Sequence, residues 1–212
     1  MKLFVWDFHG VLEKDNILAV IEITDRVLEE FGFPGRLARA DYEKLYGQRW
    51  MDYFKKAVPE ADEELIQAMT KRAFEISGNE KSFLKYIKQM DYAEEVLNAI
   101  RAKGSMNVVL SNSPPKFLLA FTESVKLTHL FDSRIGVDNH GTARFTPKAD
   151  AIKRFCKGKK FDKVVVIGDH PDDIKAGHEV GATTYLFSQT GNFPDIYANH
   201  KITDLREVLK EL

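Results

Sequence analysis

The chain has 212 residues, of which 44% are hydrophobic, and a formal net charge of -1 from 31 basic and 32 acidic side chains. This length suffices for one sizeable domain, with or without a smaller insertion, and the hydrophobic fraction suffices for a buried core. The balanced charge and the lack of a dense basic run argue against a nucleic-acid or membrane surface, so we expect a small-molecule partner.

Short apolar runs rich in β-branched and aromatic residues predict strands that are buried on both faces. These runs lie at 3–6 (LFVW), 107–110 (NVVL), 163–167 (KVVVI) and 183–187 (TTYLF). Helical periods separate the later runs, and DLREVLKEL at 204–212 predicts a closing helix with Asp204 as N-cap. The alternation predicts right-handed βαβ crossovers and a parallel sheet with helices on both sides, which is an α/β fold.

The region from residue 14 to 90 interrupts this alternation, because it shows helical periods and no convincing strand. We therefore predict an α/β core domain formed by residues 1–13 and 91–212, with a helical domain inserted after the first strand. Strand ends in open α/β sheets face the ligand crevice, so the insertion is positioned to cover a site at that edge.

Further along, DNHGTA predicts a turn at His140 and Gly141.

Acidic residues end two of the predicted strands. Asp7 follows the first strand, Asp169 follows KVVVIG, and Asp173 comes four residues later. If both strands lie in one parallel sheet, their carboxyl ends share an edge and the carboxylates converge. Converging carboxylates repel unless a cation joins them, and Mg²⁺ takes such oxygen ligands while keeping water for a phosphoryl group. The pattern therefore predicts a Mg²⁺ site.

Groups of the opposite polarity come from two further elements. Ser111 and Asn112 end the second core strand, where a hydroxyl and backbone N–H groups can hold an anionic oxygen. Lys148 begins a helix, where its charge opposes the helix dipole unless an anion is bound. Taken singly, Ser111 and Asp169 are better explained as helix caps and Lys148 as a solvated charge. Only the joint pattern indicates a site.

The compartment is indicated by the cysteine count and by the first apolar run. Cys156 is the single cysteine and cannot form an internal disulfide, which fits a reducing compartment. The run KLFVW is too short for a signal peptide or a membrane span. We expect a cytoplasmic protein, and the sequence does not indicate its oligomeric state.

In chain order, the motifs DFHGVL, LSNSP, PK and GDHPDD resemble those of the haloacid dehalogenase superfamily, most of whose members are Mg²⁺-dependent phosphatases. The resemblance spans nearly the whole chain. It implies a Rossmann-like core domain and an all-helical cap at 14–90. It also implies a hydrolase that acts on a small phosphorylated metabolite through an aspartyl-phosphate intermediate.

The resemblance further implies a role for each matched residue. Asp7 is expected to be the nucleophile, Ser111 to bind the transferring phosphoryl group, and Lys148 to neutralise the charge of both. Asp169 is expected to bind Mg²⁺ together with Asp7.

Further residues are expected to support the ion or to contact the substrate. Asp173 is expected to support the ion, and the main-chain carbonyl of His9 to be a further ligand. Gly10 and Asn112 are expected to contact the substrate.

On the cap, Arg49 lies beside Trp50, Tyr53 and Phe54, an arrangement that offers a cation for a carboxylate or a second phosphate and aromatic surface for a sugar or base. A surface arginine over a small aromatic core explains the same pattern at least as well.

His9 occupies the place of the second Asp of the family pattern, which protonates the leaving alcohol and then activates water. Histidine is the commonest acid/base side chain, so we predict that His9 takes this role. Mg²⁺ and Lys148 favour a neutral imidazole, so alkyl phosphates should react more slowly than aryl or acyl phosphates. The alternatives are a module of weak or no activity that binds a phosphorylated ligand or a protein partner, and a phosphonatase-like hydrolase.

Overall fold

The computed structural model describes residues 1–79, 81–137 and 147–212. The chain divides into two compact units, one formed by Met1–Lys14 with Gln89–Leu212 and the other by Asp15–Lys88. No helix among the described residues has both the length and the apolar character of a membrane span.

The strands come from eight short segments among the described residues. They are β1 (Lys2–Trp6), β2 (Glu13–Lys14), β3 (Lys88–Gln89), β4 (Met106–Ser111), β5 (Ser133–Gly136), β6 (Lys163–Gly168), β7 (Thr183–Phe187) and β8 (His200–Ile202). Six of them form one sheet in the order β5-β4-β1-β6-β7-β8, in which every neighbouring pair is parallel. The predicted parallel α/β fold is confirmed.

The sequence reasoning missed four of these strands, and each is short or at an edge. The strands β2 and β3 have two residues each and pair with each other where the chain passes from one unit to the other. The strands β5 and β8 are the two edges of the sheet. Edge strands are only half covered, so they lack the continuous apolar run that marks the central strands.

The helices alternate with the strands of the first unit and make up most of the second. They are α1 (Asn16–Glu30), α2 (Arg39–Leu45), α3 (Trp50–Ala57), α4 (Glu63–Asn79), α5 (Ala93–Ala102), α6 (Pro115–Ser124), α7 (Lys148–Cys156) and α8 (Pro171–Glu179). Short 3₁₀ helices lie at Lys81–Tyr86, Thr128–Leu130 and Leu205–Glu211. The last of these is the predicted closing helix, and Asp204 caps it by accepting the Arg206 N–H at 2.9 Å.

The sheet places three strand ends side by side. The central strand β1 is wholly buried at Leu3, Phe4 and Trp6, as expected for a strand covered on both faces. In register, Trp6 pairs with Val109 of β4 on one side and with Ile167 of β6 on the other. The strands β4 and β5 lie on one side of β1, and β6, β7 and β8 lie on the other. The edge beyond Trp6 is therefore a topological switch point, where α/β proteins bind ligands.

The second unit has its own hydrophobic core. The helices α1, α3 and α4 each contribute fully buried side chains, among them Val27, Phe54 and Met69. Within the described part of this unit, Lys88 is the only residue in a strand. The unit is therefore a helical body built around an apolar cluster of its own.

Candidate active site

Asp7 and Lys148 form an ion pair at the carboxyl edge of the sheet. Asp7 follows β1, and its backbone N–H donates to the Ile167 carbonyl at 2.8 Å, which extends the strand pairing to this residue. Lys148 is the first residue of α7, and its Nζ donates to Asp7 Oδ1 at 2.6 Å and to Asp173 Oδ1 at 2.5 Å. The Lys148 and Asp7 side chains are 8% and 11% exposed. The two carboxylates explain how a lysine is accommodated at a helix N-terminus.

The turn after β6 supplies the other two acids. His170 is the N-cap of α8, and its Nδ1 accepts the Asp172 N–H at 3.2 Å. The second carboxylate oxygen of Asp173 accepts the His170 N–H at 3.2 Å, which closes a capping box. Asp173 therefore caps the helix with one oxygen and binds Lys148 with the other.

Three carboxylates converge at this edge, as the strand ends predicted. Asp7, Asp169 and Asp173 each offer an oxygen, and these atoms lie within 4.8 Å of one another. Burial raises the pKa of Asp169 well above its ordinary value, and the carboxylates of Asp7 and Asp173 raise it further. Burial also raises the pKa of Asp173, although Lys148 opposes this shift.

The charge of Lys148 is stabilised by the same acids. Burial disfavours the ammonium ion, but Asp173 and Asp7 outweigh burial, so the pKa of Lys148 lies above its ordinary value. One ammonium group among three carboxylates leaves an excess of negative charge. A cation at this position would relieve it.

Two glycines give the acids room. Gly10 has φ +76°, and a Cβ on it would lie 2.1 Å from Asp169 Oδ2. A Cβ on Gly168 would lie 2.2 Å from the Cβ of Asp173. Because only glycine permits both the left-handed conformation and this close approach, Gly10 fixes the space that the Asp169 carboxylate occupies. A contact between Gly10 and a substrate stays a prediction.

The polar end of β4 lies beside β1 in the sheet. Ser111 is the last residue of β4 and is 1% exposed, and its Oγ accepts the Ser113 N–H at 3.2 Å. Asn112 follows it directly, and α6 begins at Pro115. The predicted binding of a phosphoryl group by Ser111 and Asn112 is compatible with this position and stays a prediction.

His9 contacts two residues that the sequence reasoning missed. Its Nδ1 lies 2.9 Å from Glu13 Oε1, and its Nε2 lies 3.3 Å from Ser113 Oγ. The ring packs edge-on against Phe8 and Phe121, with centroid distances of 5.2 and 4.9 Å. The only sequence signal for the pair is the four-residue spacing of His9 and Glu13, which many unrelated pairs share. The main-chain carbonyl of His9 as a metal ligand stays a prediction.

Arg49 lies in the second unit, as the N-cap of α3. Its side chain is 58% exposed, and its Nε donates to Asp52 Oδ2 at 3.2 Å. Tyr53 and Phe54 are 1% and 0% exposed, so their rings belong to the interior, whereas Trp50 beside Arg49 is partly exposed. A substrate contact by Arg49 stays a prediction. The turn predicted at His140 and Gly141 lies outside the described residues.

Comparison with known proteins agrees with this arrangement. The family model for haloacid dehalogenase-like hydrolases matches residues 4–187. The phosphoglycolate phosphatase of Aquifex aeolicus is 23% identical over 193 residues, which cover 88% of this chain and 84% of that protein. The pyrophosphatase PpaX of Halalkalibacterium halodurans is 21% identical over 180 residues, which cover 85% of this chain and 80% of that protein.

A solved structure shows the same fold. The haloacid dehalogenase-like family hydrolase from Streptococcus pneumoniae superimposes with a TM-score of 0.81 at 13% identity, covering 99% of this chain and 97% of that one. At this identity the likeness concerns the fold alone, whereas the family model spans most of the sequence. The chain belongs to the haloacid dehalogenase-like hydrolase family.

Proposed function

We propose that the protein is a Mg²⁺-dependent phosphatase that acts on a small phosphorylated metabolite through an aspartyl-phosphate on Asp7. The observation that carries this proposal is the Asp7 carboxylate itself. Lys148 Nζ holds one of its oxygens at 2.6 Å, and it lies among the acids Asp169 and Asp173 with oxygens within 4.8 Å. The names of the relatives support the proposal, since they are a phosphoglycolate phosphatase and a pyrophosphatase.

The donor set fits Mg²⁺. Every side chain in the cluster offers a carboxylate oxygen, which is the hard ligand that this ion prefers. We propose that Asp7, Asp169 and the main-chain carbonyl of His9 hold the ion, with Asp173 in support. The raised pKa values of Asp169 and Asp173 favour this role, because a cation stabilises the charged form of carboxylates that are buried beside one another. When bound, the ion supplies neutralising charge for the transferring phosphoryl group.

Asp7 acts as the nucleophile. A carboxylate oxygen attacks phosphorus, the bond from phosphorus to the leaving oxygen breaks, and Asp7 carries the phosphoryl group. Lys148 holds the carboxylate in a fixed orientation and offsets charge on the phosphate. We propose that the Ser111 hydroxyl, with Asn112, binds the phosphoryl oxygens that do not react.

His9 takes the acid/base role in this proposal. Its position two residues after Asp7 matches that of the family's second Asp, and its ring is held by hydrogen bonds and by aromatic contacts on two sides. In the second half of the reaction, water attacks phosphorus and gives a proton to His9. The bond from phosphorus to Asp7 then breaks, which restores the Asp7 carboxylate and releases phosphate.

We also propose that the helical unit Asp15–Lys88 serves as a cap that recognises the substrate, with Arg49 as one contact. The support is its place in the chain, directly after the strand and turn that carry Asp7 and His9. The Arg49 guanidinium is 58% exposed and pairs with the Asp52 carboxylate of its own helix start, so an anionic substrate group could replace Asp52.

Phosphate release from a panel of sugar phosphates, carboxylated phosphates, acyl phosphates and pyrophosphate tests the proposal. We expect release to require Mg²⁺ and to disappear in the Asp7→Asn variant. Beryllofluoride, which mimics a phosphoryl group, should bind the parent protein and not this variant. A parent protein that releases no phosphate from any member of the panel and does not bind beryllofluoride would instead be an inactive family member.

A further inference from the structure

Glu13 is an acid in a place where acids are rarely found. Its side chain is wholly buried, although the residue lies only six positions after the proposed nucleophile Asp7. A buried carboxyl group must be held by hydrogen-bond donors, because it has lost its water. One of its oxygens, Oε1, receives the Gly10 N–H at 3.2 Å and lies 2.9 Å from His9 Nδ1.

The backbone of the turn brings Glu13 back to His9. The Phe8 carbonyl accepts the N–H groups of Leu12 at 2.9 Å and Glu13 at 3.2 Å, which folds residues 8–13 into a tight coil. Gly10, with φ +76°, permits that path. His9 and Glu13 are also joined by an isolated β-bridge. The contact is therefore built into the fold of one short segment and does not depend on a flexible surface side chain.

The hydrogen bonds determine which ring nitrogen of His9 carries hydrogen. Glu13 Oε1 already accepts the Gly10 N–H, so it is an acceptor here and His9 Nδ1 donates to it. In the neutral ring Nε2 is then an acceptor, and the Ser113 hydroxyl at 3.3 Å is its donor. Ser113 is 7% exposed, and its own N–H donates to Ser111 Oγ at 3.2 Å. The acceptor nitrogen of His9 therefore faces the proposed phosphoryl-binding end of β4.

We propose that Glu13 is a positioning residue that holds His9 with hydrogen on Nδ1 and so commits Nε2 to accept a proton. This inference rests on the proposed function. In the hydrolysis of the aspartyl-phosphate, the Ser113 hydroxyl turns away from Nε2, the oxygen of a water molecule bonds to phosphorus, and one water proton moves to Nε2. The bond from phosphorus to the Asp7 oxygen breaks, its electron pair returns to the carboxylate, and His9 later gives the proton to solvent. Glu13 itself exchanges no proton and touches no substrate.

The pairing favours the second half-reaction over the first. A ring whose Nε2 accepts a hydrogen has none there to give to a departing alcohol. Substrates whose leaving groups depart without a proton, such as acyl phosphates, should therefore suit this site better than alkyl phosphates. On this proposal, histidine in place of the family's acid keeps the role of base in the second half-reaction and gives up the role of acid in the first, and Glu13 sets this preference.

Nitrogen NMR of the Mg²⁺-loaded protein tests the tautomer without reference to activity. The parent and the variants Glu13→Gln and Glu13→Ala are labelled at histidine nitrogens, and His9→Asn assigns the His9 signals. We expect hydrogen on Nδ1 in the parent and in Glu13→Gln, whose amide oxygen can still accept it. In Glu13→Ala, hydrogen should shift to Nε2 or exchange between both nitrogens. Hydrogen on Nε2 in the parent, or an unchanged tautomer in Glu13→Ala, overturns the proposal.

Phosphoenzyme lifetime supplies the catalytic readout, with labelled acetyl phosphate as substrate. In Glu13→Ala we expect the phosphoenzyme to form at nearly the parental rate and to decay about 10- to 100-fold more slowly, by analogy with the loss of a partner that orients a metal-binding histidine. Glu13→Gln should decay at close to the parental rate, and the exposed control Glu123→Ala at the parental rate. Glu13→Ala and Glu13→Gln should both fold by circular dichroism.

The kinetic outcomes separate this inference from the proposed function. Decay at the parental rate in Glu13→Ala, or formation slowed as much as decay, overturns the positioning role. A parent protein that forms no phosphoenzyme overturns the proposed function and with it the catalytic step. In that case the NMR result still decides whether Glu13 sets the His9 tautomer.

Discussion

Two turns at the same edge of the sheet present their polar groups in different ways. The turn after β6 places Asp169 and Asp173 among other charges, and both have a raised pKa because they are buried beside like charges. The turn after β1 places His9 on Glu13 through hydrogen bonds and against two aromatic rings. The first turn concentrates negative charge that a cation would neutralise, whereas the second fixes the orientation of the His9 ring. Changes in the first should alter the response to cations, and changes in the second should alter proton transfer.

Asp7 follows β1, and its carboxylate also lies beside the two acids that follow β6. Its substitution should therefore have the largest effect. In Asp7→Asn, the amide oxygen can still accept from Lys148, so the fold should persist. The amide is a poor nucleophile, and turnover should fall on the order of 10⁴-fold or more. Phosphate release measures the loss, with Asp172→Asn as control because Asp172 is 59% exposed at the same edge. Parental turnover in Asp7→Asn would remove the covalent route.

Gly10 connects the two turns, since it lies in one and makes room for an acid of the other. Gly10→Ala places a Cβ 2.1 Å from Asp169 Oδ2, so the carboxylate or the turn must move. We expect loss of both Mg²⁺-dependent activity and thermal stabilisation by Mg²⁺. Gly181→Ala is the matched control, because Gly181 has φ +70° and no atom within 4 Å of the added Cβ.

The control separates steric displacement from backbone strain. A left-handed alanine costs about 1–2 kcal/mol in either variant. Gly181→Ala should therefore lose stability and keep its response to Mg²⁺, whereas Gly10→Ala should lose both. Equal Mg²⁺ responses in the two variants would mean that Gly10 does not set the position of Asp169.

The comparison also explains what the sequence could predict. Asp7 and Asp169 follow apolar runs, and parallel strands bring their ends together, so pattern and topology suffice to predict that these acids converge. Lys148 was a weak prediction by itself, because only the structure supplies its partners. Glu13 could not be predicted, since its burial depends on a turn whose hydrogen bonds are not visible as a periodicity. The strands β5 and β8 were missed because sheet edges lack a continuous apolar run.

Asp169→Asn should separate the stability of the metal-free protein from its response to Mg²⁺. Removing one of three crowded carboxylates removes its desolvation cost and its repulsion with the other two. The metal-free variant should therefore melt a few degrees above the parent, since about 1 kcal/mol corresponds to ~2–4 °C in a chain of this size. The variant should also gain little from Mg²⁺. Thermal unfolding with a chelator and with Mg²⁺ measures both effects. A metal-free variant that melts below the parent would contradict the like-charge interpretation.

The same variant gives a pH dependence with a definite sign. The pKa of Asp169 is raised in the folded protein, so deprotonation costs more in the folded chain than in the unfolded one. The metal-free parent should therefore lose stability as the pH rises from the ordinary aspartate value, about 4, towards the raised value. The advantage of Asp169→Asn should grow across this window and stay constant above it. An advantage that is equal at all pH values would point to packing and not to charge.

The smallest expected effect concerns the other turn. His9→Asp restores the family's acid, but the new side chain would face Glu13, which is fully buried and 2.9 Å from His9 Nδ1 in the parent. Two carboxyl groups in this space repel, so His9→Asp should destabilise the protein and Glu13→Gln should recover part of the loss, with a coupling of about 0.5–3 kcal/mol. A double-mutant cycle in urea unfolding measures this coupling.

The double variant should also turn over alkyl phosphates faster relative to aryl phosphates than the parent does, because it regains a proton donor. Additive stabilities would show that residues 9 and 13 act independently, and an unchanged alkyl-to-aryl ratio would show that the leaving group does not need that donor.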